Sequence, residues 1–361
     1  MVTFSTVVLF VQASESLRAS FLYRKDLFQD WLMARALTAG APPYRAAHLL
    51  AGELSNATGT TFDHASPHPP SLLPLLRPLA ILEYETLATL WVGVEIAAVV
   101  AMGLLLRRLQ EHTGKVTLLL VLIVLGSDPC RFGIVLGQFS CILAFLTAAF
   151  VVAQQERRDR LAGVALGLAV VIKFWGAPLF VWLAVQRRWR TLVYAGSTAA
   201  LFHALSLVFL TPAEWLDYFL HVAPEVASRY LAHPANVSLT SVSPWLALGL
   251  VLFGAVVSLR RKALGLTFML VLTPVVSPIA WLHGTVAWAI PFCMMLSAGR
   301  NRGLAAVAIA LVLLGMTPPV IWPALERPLR LLPVFAALTY ALWTTLGALL
   351  EPARSPKLAY P

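Results

Sequence analysis

About a dozen apolar runs divide this chain, and every second connection between them carries a cluster of arginine and lysine. The runs lie at approximately 86–106, 116–127, 134–153, 161–172, 175–186, 191–210, 244–259, 264–276, 285–298, 303–316 and 331–350. A hydrocarbon core about 30 Å thick takes roughly 20 helical residues to cross. With 59% hydrophobic and 12% charged residues among 361, the chain is too apolar for a soluble protein of ordinary composition. The pattern predicts an all-α, polytopic integral membrane protein with about 11–13 transmembrane helices.

Charge fixes the orientation. Arg107-Arg108 with Lys115, Arg157-Arg158 with Arg160, Arg187-Arg188 with Arg190, Arg260-Arg261-Lys262, and Arg300 with Arg302 recur at alternate connections, which makes those connections cytoplasmic. The remaining ones, 24–70, 128–133, 173–174, 211–243, 277–284 and 317–330, then face outward. Met1 to about Ala13 has neither a basic lead nor a small-residue cleavage site. It reads as a first transmembrane helix extended towards Tyr23, not as a signal peptide. Leu72 to Leu82 is apolar but interrupted by Pro74, Arg77 and Pro78, which suits a re-entrant or interfacial segment after the first outer loop. Several runs, such as 161–172, fall short of a full crossing, so a polar cavity can reach into the bilayer from outside. No repeat, heptad or low-complexity tract breaks the chain, and residues 1–361 read as a single domain.

The net charge of +10, from 27 Lys+Arg against 17 Asp+Glu, belongs to this topology, because the basic residues sit between apolar runs and form no face for nucleic acid. Cys130, Cys141 and Cys293 lack CxxC or zinc-ligand spacing, so neither a disulfide framework nor a metal site is expected.

The unusual polar residues concentrate on the outer connections. Lys25 to Tyr44 reads as a short helix: Asp26 fits the N-cap with Gln29 three positions on, Gly40 fits C′, and Pro42-Pro43 prevent continuation. Asp30 falls one turn after Asp26. The two carboxylates share a face and repel, which raises the proton affinity of one, as a general base needs. On the residues alone, capping and solvation account for both. Lys173, between two apolar halves in AVVIKFWGAP, either snorkels to the interface or meets an anion such as phosphate. Arg131, in SDPCRFG, either pairs with Asp128 or offers its fork to a phosphate. Gln138, in VLGQFSCIL, needs hydrogen-bond partners from neighbouring helices or from a sugar hydroxyl. His283 lies where a helix resumes after Pro278, near Trp281 and Trp288, a place where an isolated histidine more often bonds at the interface than catalyses. Asn236, in HPANVSL, has the position of a turn or cap residue.

These residues occur in a telling order: Asp26-Leu-Phe-Gln-Asp30-Trp ahead of AGAPPY, His68-Pro69-Pro70, Gly137-Gln138, AGVALGLAVVIK ending at Lys173, Asn236-Val-Ser-Leu, and Ser277-Pro278-Ile-Ala-Trp281-Leu-His283. From about residue 25 to 300 the chain resembles glycosyltransferase family 87, polyprenyl-phosphate-mannose-dependent mannosyltransferases of the GT-C type. It departs from the family pattern in having HPP for YPP, NVS for NQS, and His283-Gly284 for paired histidines. The resemblance implies a GT-C membrane fold with Asp26 as general base and Asp30 beside it. It implies His283 near the donor phosphate, which puts His283 with Asp26 and Asp30 among the catalytic residues; beside it Lys173 and Arg131 are candidate phosphate partners, Gln138, Asn236 and His68 are candidate substrate contacts, and no cofactor is expected. The implied reaction is inverting transfer of a hexose, most simply mannose, from a polyprenyl phosphate to a hydroxyl of a lipid-linked or cell-surface glycan. It would run on the extracytoplasmic side of the bacterial inner membrane, with membrane lipids around it. A transporter or flippase of a lipid-linked sugar would use the same cavity without chemistry, and the sequence leaves that alternative open.

Overall fold

A computed structural model describes residues 22–55, 62–109, 124–233 and 236–297, with isolated positions elsewhere. The first apolar run and the span expected at 303–316 lie outside the described residues, as do most of 116–127 and part of 331–350. Among the described residues every regular element is helical. In chain order the α-helices are α1 (Asp26–Ala39), α2 (Ala47–Leu54), α3 (Leu73–Leu76), α4 (Tyr84–Arg108), α5 (Asp128–Leu136), α6 (Ser140–Gln155), α7 (Asp159–Lys173) and α8 (Ala177–Val185). They continue with α9 (Trp189–Ser206), α10 (Pro212–Asp217), α11 (Ala223–Leu231), α12 (Leu239–Val242), α13 (Pro244–Arg260), α14 (Lys262–Leu272) and α15 (Ala289–Ser297).

Proline and glycine set the boundaries that matter. α1 ends at Gly40, whose left-handed φ of 70° lets its N–H return to the carbonyls of Ala36 and Leu37. Its start corrects the expectation from sequence: Lys25 holds the N-cap with extended backbone and no side-chain cap, and Asp26 is the first helical residue. Around α3 the chain makes two 3-10 turns, Pro70–Leu72 and Arg77–Ile81, so the segment foreseen as re-entrant is a broken helix. The single run expected at 134–153 is two helices, and the loop expected at 128–133 is the first part of α5. Gly137 makes the break. Its φ is 66°, and a Cβ there would lie 2.6 Å from Cβ of Leu27, so only glycine lets this turn close on α1.

α4, with 25 residues, is the one helix among the described residues that is long and apolar enough to cross a membrane alone. This falls short of the expected count of about 11–13 spans. The other apolar helices are shorter because charge ends them early, as Arg157-Arg158 follows α6 and Arg187-Arg188 follows α8. Outward side chains on α4, α9 and α13, including Leu104, Val193, Leu252 and Leu259, are apolar and exposed, a surface that suits hydrocarbon better than water. Inside, α7 lies against α6 and α9. Cβ atoms on Gly163 and Gly167 of α7 would approach the α9 backbone to 2.7 Å, so this pair, four residues apart, packs backbone on backbone.

A strap ties two distant segments together. Val237 N–H donates to Ala280 O (2.7 Å) and Leu239 N–H to Val275 O (2.7 Å), while the hydroxyls of Ser238 and Thr240 donate to Ser277 O and Val276 O (both 2.5 Å). Residues 236–240 thus hold residues 275–280 along their length.

Candidate active site

Two cavities meet at a common wall. One, of about 50 Å³, is lined by Asp26, Asp30, His68 and Gln138; the other, of about 220 Å³, by Ser140, Thr273, Ser277 and His283. Lys173 and Trp281 line both.

The carboxylates come from consecutive turns of α1. The Gln138 amide donates to Oδ2 of Asp26, which fixes that carboxylate and engages one of its two oxygens. This bond exists because Gly137 brings the α5–α6 break against α1. Burial raises the Asp26 carboxyl above the usual range, while the Gln138 hydrogen bond and the charge of Lys173 pull it back. Asp30 is fully buried and is pushed up much further, by burial first and then by the charge of Asp26. The Asp30 carboxyl therefore holds its proton more tightly than that of Asp26. Ser66 Oγ donates to Asp30 Oδ1 at 3.3 Å.

His68 Nε2 stands 3.6 Å from Asp30 Oδ2, and its Nδ1 donates to the Ile172 carbonyl at 3.2 Å. Burial and the Lys173 charge lower this imidazole to about 3, so it is neutral. It ties the end of α7, and with it Lys173, to the carboxylate cavity. Lys173 forms no ion pair within 4 Å among the described residues, although its charge attracts both carboxylates. The following residue, Phe174, has φ 20°, a backbone strain that turns the chain out of α7 at this lysine.

In the second cavity His283 is anchored on one side only. Its Nδ1 lies 2.5 Å from Ser140 Oγ, whereas its buried Nε2 has no partner. If the Ser140 hydroxyl donates, Nε2 carries the proton and offers it to whatever enters.

The structure thus gathers Asp26, Asp30, His68, Gln138, Lys173 and His283, and it places two expected site residues elsewhere. Arg131 lines neither cavity, and its guanidinium stands over the Phe132 ring, 5.9 Å from the centroid. Asn236 is wholly occupied: Nδ2 donates to the carbonyls of Tyr230 (3.0 Å) and Pro278 (3.1 Å), and Oδ1 accepts from the N–H groups of Ser238 (3.1 Å) and Ala280 (3.0 Å). A primary amide has no further donor to give, so Asn236 holds the strap and is not free for substrate. Ser66 and Ser140 were missed, because a lone serine in an apolar run or a polar loop carries no signal until its partner is known. His64 and Tyr230, bonded to each other at 2.5 Å, also line the carboxylate cavity and had no motif to mark them.

The sequence profile of glycosyltransferase family 87 matches residues 67–317, well over half of the chain. The chain belongs to glycosyltransferase family 87. It is a membrane glycosyltransferase, similar to two curated proteins. One is the polyprenol-phosphate-mannose-dependent alpha-(1-2)-phosphatidylinositol pentamannoside mannosyltransferase of Mycolicibacterium smegmatis, 27% identical over 318 residues, 78% of this chain and 75% of the relative. The other is the alpha-(1->3)-arabinofuranosyltransferase of Corynebacterium glutamicum, 26% identical over 201 residues, 53% of this chain and 47% of the relative. The family match takes in His68, Gln138, Lys173 and His283, whereas Asp26 and Asp30 precede it.

Proposed function

We propose that this family 87 enzyme moves a hexose, mannose in the first instance, from a polyprenyl phosphate to a sugar hydroxyl of a lipid-linked or cell-surface glycan, on the outer face of the membrane. The observation that carries the reading is Lys173, a half-buried cation with no ion pair within 4 Å among the described residues. It stands between a cavity holding two carboxylates and one lined by His283, whose buried Nε2 has no partner. The name of the Mycolicibacterium smegmatis relative supports the donor class.

In this reading the free oxygen of Asp26 accepts the proton of the acceptor hydroxyl as that oxygen forms its bond to the anomeric carbon. Gln138 keeps the carboxylate turned to the task. The bond from the anomeric carbon to the phosphate oxygen breaks on the opposite face, which inverts the centre, and the phosphate gains a negative charge. Lys173 and the Nε2–H of His283 meet that charge, in a site where fixed donors need no reorganisation. Asp30, protonated, and His68, neutral, add no competing charge beside Lys173.

Membranes containing the protein, supplied with radiolabelled polyprenyl-phosphate mannose, should yield labelled glycolipid or glycan. Lys173→Met should weaken donor use while the protein still inserts, and Lys173→Arg should keep part of it because charge is retained. Normal donor use by Lys173→Met would remove the phosphate role.

A further inference from the structure

The carboxylate cavity has a second wall that the transfer chemistry does not use. Phe62, Tyr230 and Trp281 line it together with the acidic residues, and they reach it from three separate stretches of chain. Tyr230 and Trp281 meet nearly at right angles, with ring centroids 5.2 Å apart, and His233 packs edge-on against Trp281 at 5.3 Å from outside. The wall is held in place. The Tyr230 hydroxyl bonds His64 Nε2 at 2.5 Å while His64 Nδ1 bonds the Ala65 carbonyl at 2.7 Å, and Arg229 beside it pairs with Asp63 at 3.2 Å. Trp281 is fixed by the Asn236 amide through Pro278 and Ala280.

One side of this space is therefore aromatic, and the other is a rim of Asp26, Gln29, Asp30, Ser66 and Gln138. Gln29 Oε1 is buried on that rim without a partner. A hydrocarbon chain would leave the rim unsatisfied. An anionic headgroup would meet two carboxyl groups and a single lysine. A neutral sugar ring matches both sides, since its C–H face carries the positive edge that an aromatic face attracts and its hydroxyls can donate to amide and carboxylate oxygens. We infer that Trp281 and Tyr230 form a stacking subsite for a neutral sugar ring of the acceptor, which brings one of its hydroxyls to Asp26. This rests on the proposed function and names the part of the acceptor that the cavity takes.

The test is saturation-transfer-difference NMR of the full-length protein in lipid nanodiscs with methyl α-D-mannopyranoside. Saturation of ring C–H protons is expected in the parent. It should fall at least threefold in Trp281→Leu and in Tyr230→Leu, and be largely kept in Trp281→Phe and Tyr230→Phe, which retain a ring. Tyr230 lines only the carboxylate cavity, so its leucine variant separates this subsite from the donor side. Equal saturation in the parent and both leucine variants, or saturation confined to the glycosidic methyl group, overturns the subsite. The binding readout needs no turnover: a parent that binds through these rings but transfers nothing from polyprenyl-phosphate mannose sinks the proposed function and leaves the subsite standing. A parent that transfers sugar while both leucine variants keep its acceptor KM does the reverse.

Discussion

Asp26 and Asp30 sit one helical turn apart yet are held differently, and the difference can be measured. Asp26 is not a cap, so Asp26→Asn removes no helix-terminal bond and should fold normally. As general base it should lose about 10²- to 10⁴-fold in transfer rate, and turnover within a few-fold of the parent would end that role. The parent's rate should climb with pH as Asp26 loses its proton, on a limb lying above the ordinary carboxylate range because burial raises the group. Asp30→Asn should barely move that limb, since Asp26 ionises before its neighbour. Its effect belongs to stability. The folded state keeps the Asp30 proton at pH values where the unfolded chain has released it, so the native state becomes relatively less stable as pH rises through that window. Asp30→Asn removes the penalty, and its gain in Tm over the parent should be small at pH 4 and larger at pH 8. A pH-independent Tm difference would contradict the buried, protonated Asp30.

At the level of elements, the site depends on two joints remote from the chemistry. Gly137→Ala would force a side chain into Leu27 and into left-handed backbone, a conformation that costs roughly 1–2 kcal/mol in itself. It should also part Gln138 from Asp26, lowering kcat more than it raises the acceptor KM. Asn236→Ala strands the Pro278 carbonyl and the N–H groups of Ser238 and Ala280 in the strap. A loss of at least about 2 kcal/mol is expected, with faster amide hydrogen exchange at Ala280, and unchanged exchange there would discount the clamp. These joints show where the sequence was legible. Helix α1 could be read from its own residues, because Gly40 and the two prolines act locally. The break at Gly137 could not, since an apolar run looks continuous until Leu27, about a hundred positions away, is seen to press on it. Asn236 and Arg131 could not be assigned from sequence for a related reason: a polar side chain in a membrane chain advertises an unmet need, and the sequence does not say whether protein or substrate meets it.

For the whole molecule, alternating charge predicts a topology that labelling in a membrane checks. Ala232→Cys, on the exposed end of the loop at 211–243, should react with an impermeant maleimide added to intact cells. Arg190→Cys should react only after permeabilisation, and the native cysteines Cys130, Cys141 and Cys293, all buried, should stay silent. Labelling with the sides exchanged would place the cavities on the cytoplasmic face and undo the case for a lipid-carried sugar. Finally, two cavities that share Lys173 and Trp281 as a wall offer donor and acceptor separate places. An enzyme built this way need not store the sugar on itself between half-reactions. Initial-velocity plots with donor and acceptor varied together should give intersecting lines, whereas parallel lines would mean that the sugar rests on a side chain, making Asp26 a nucleophile and the net result retention.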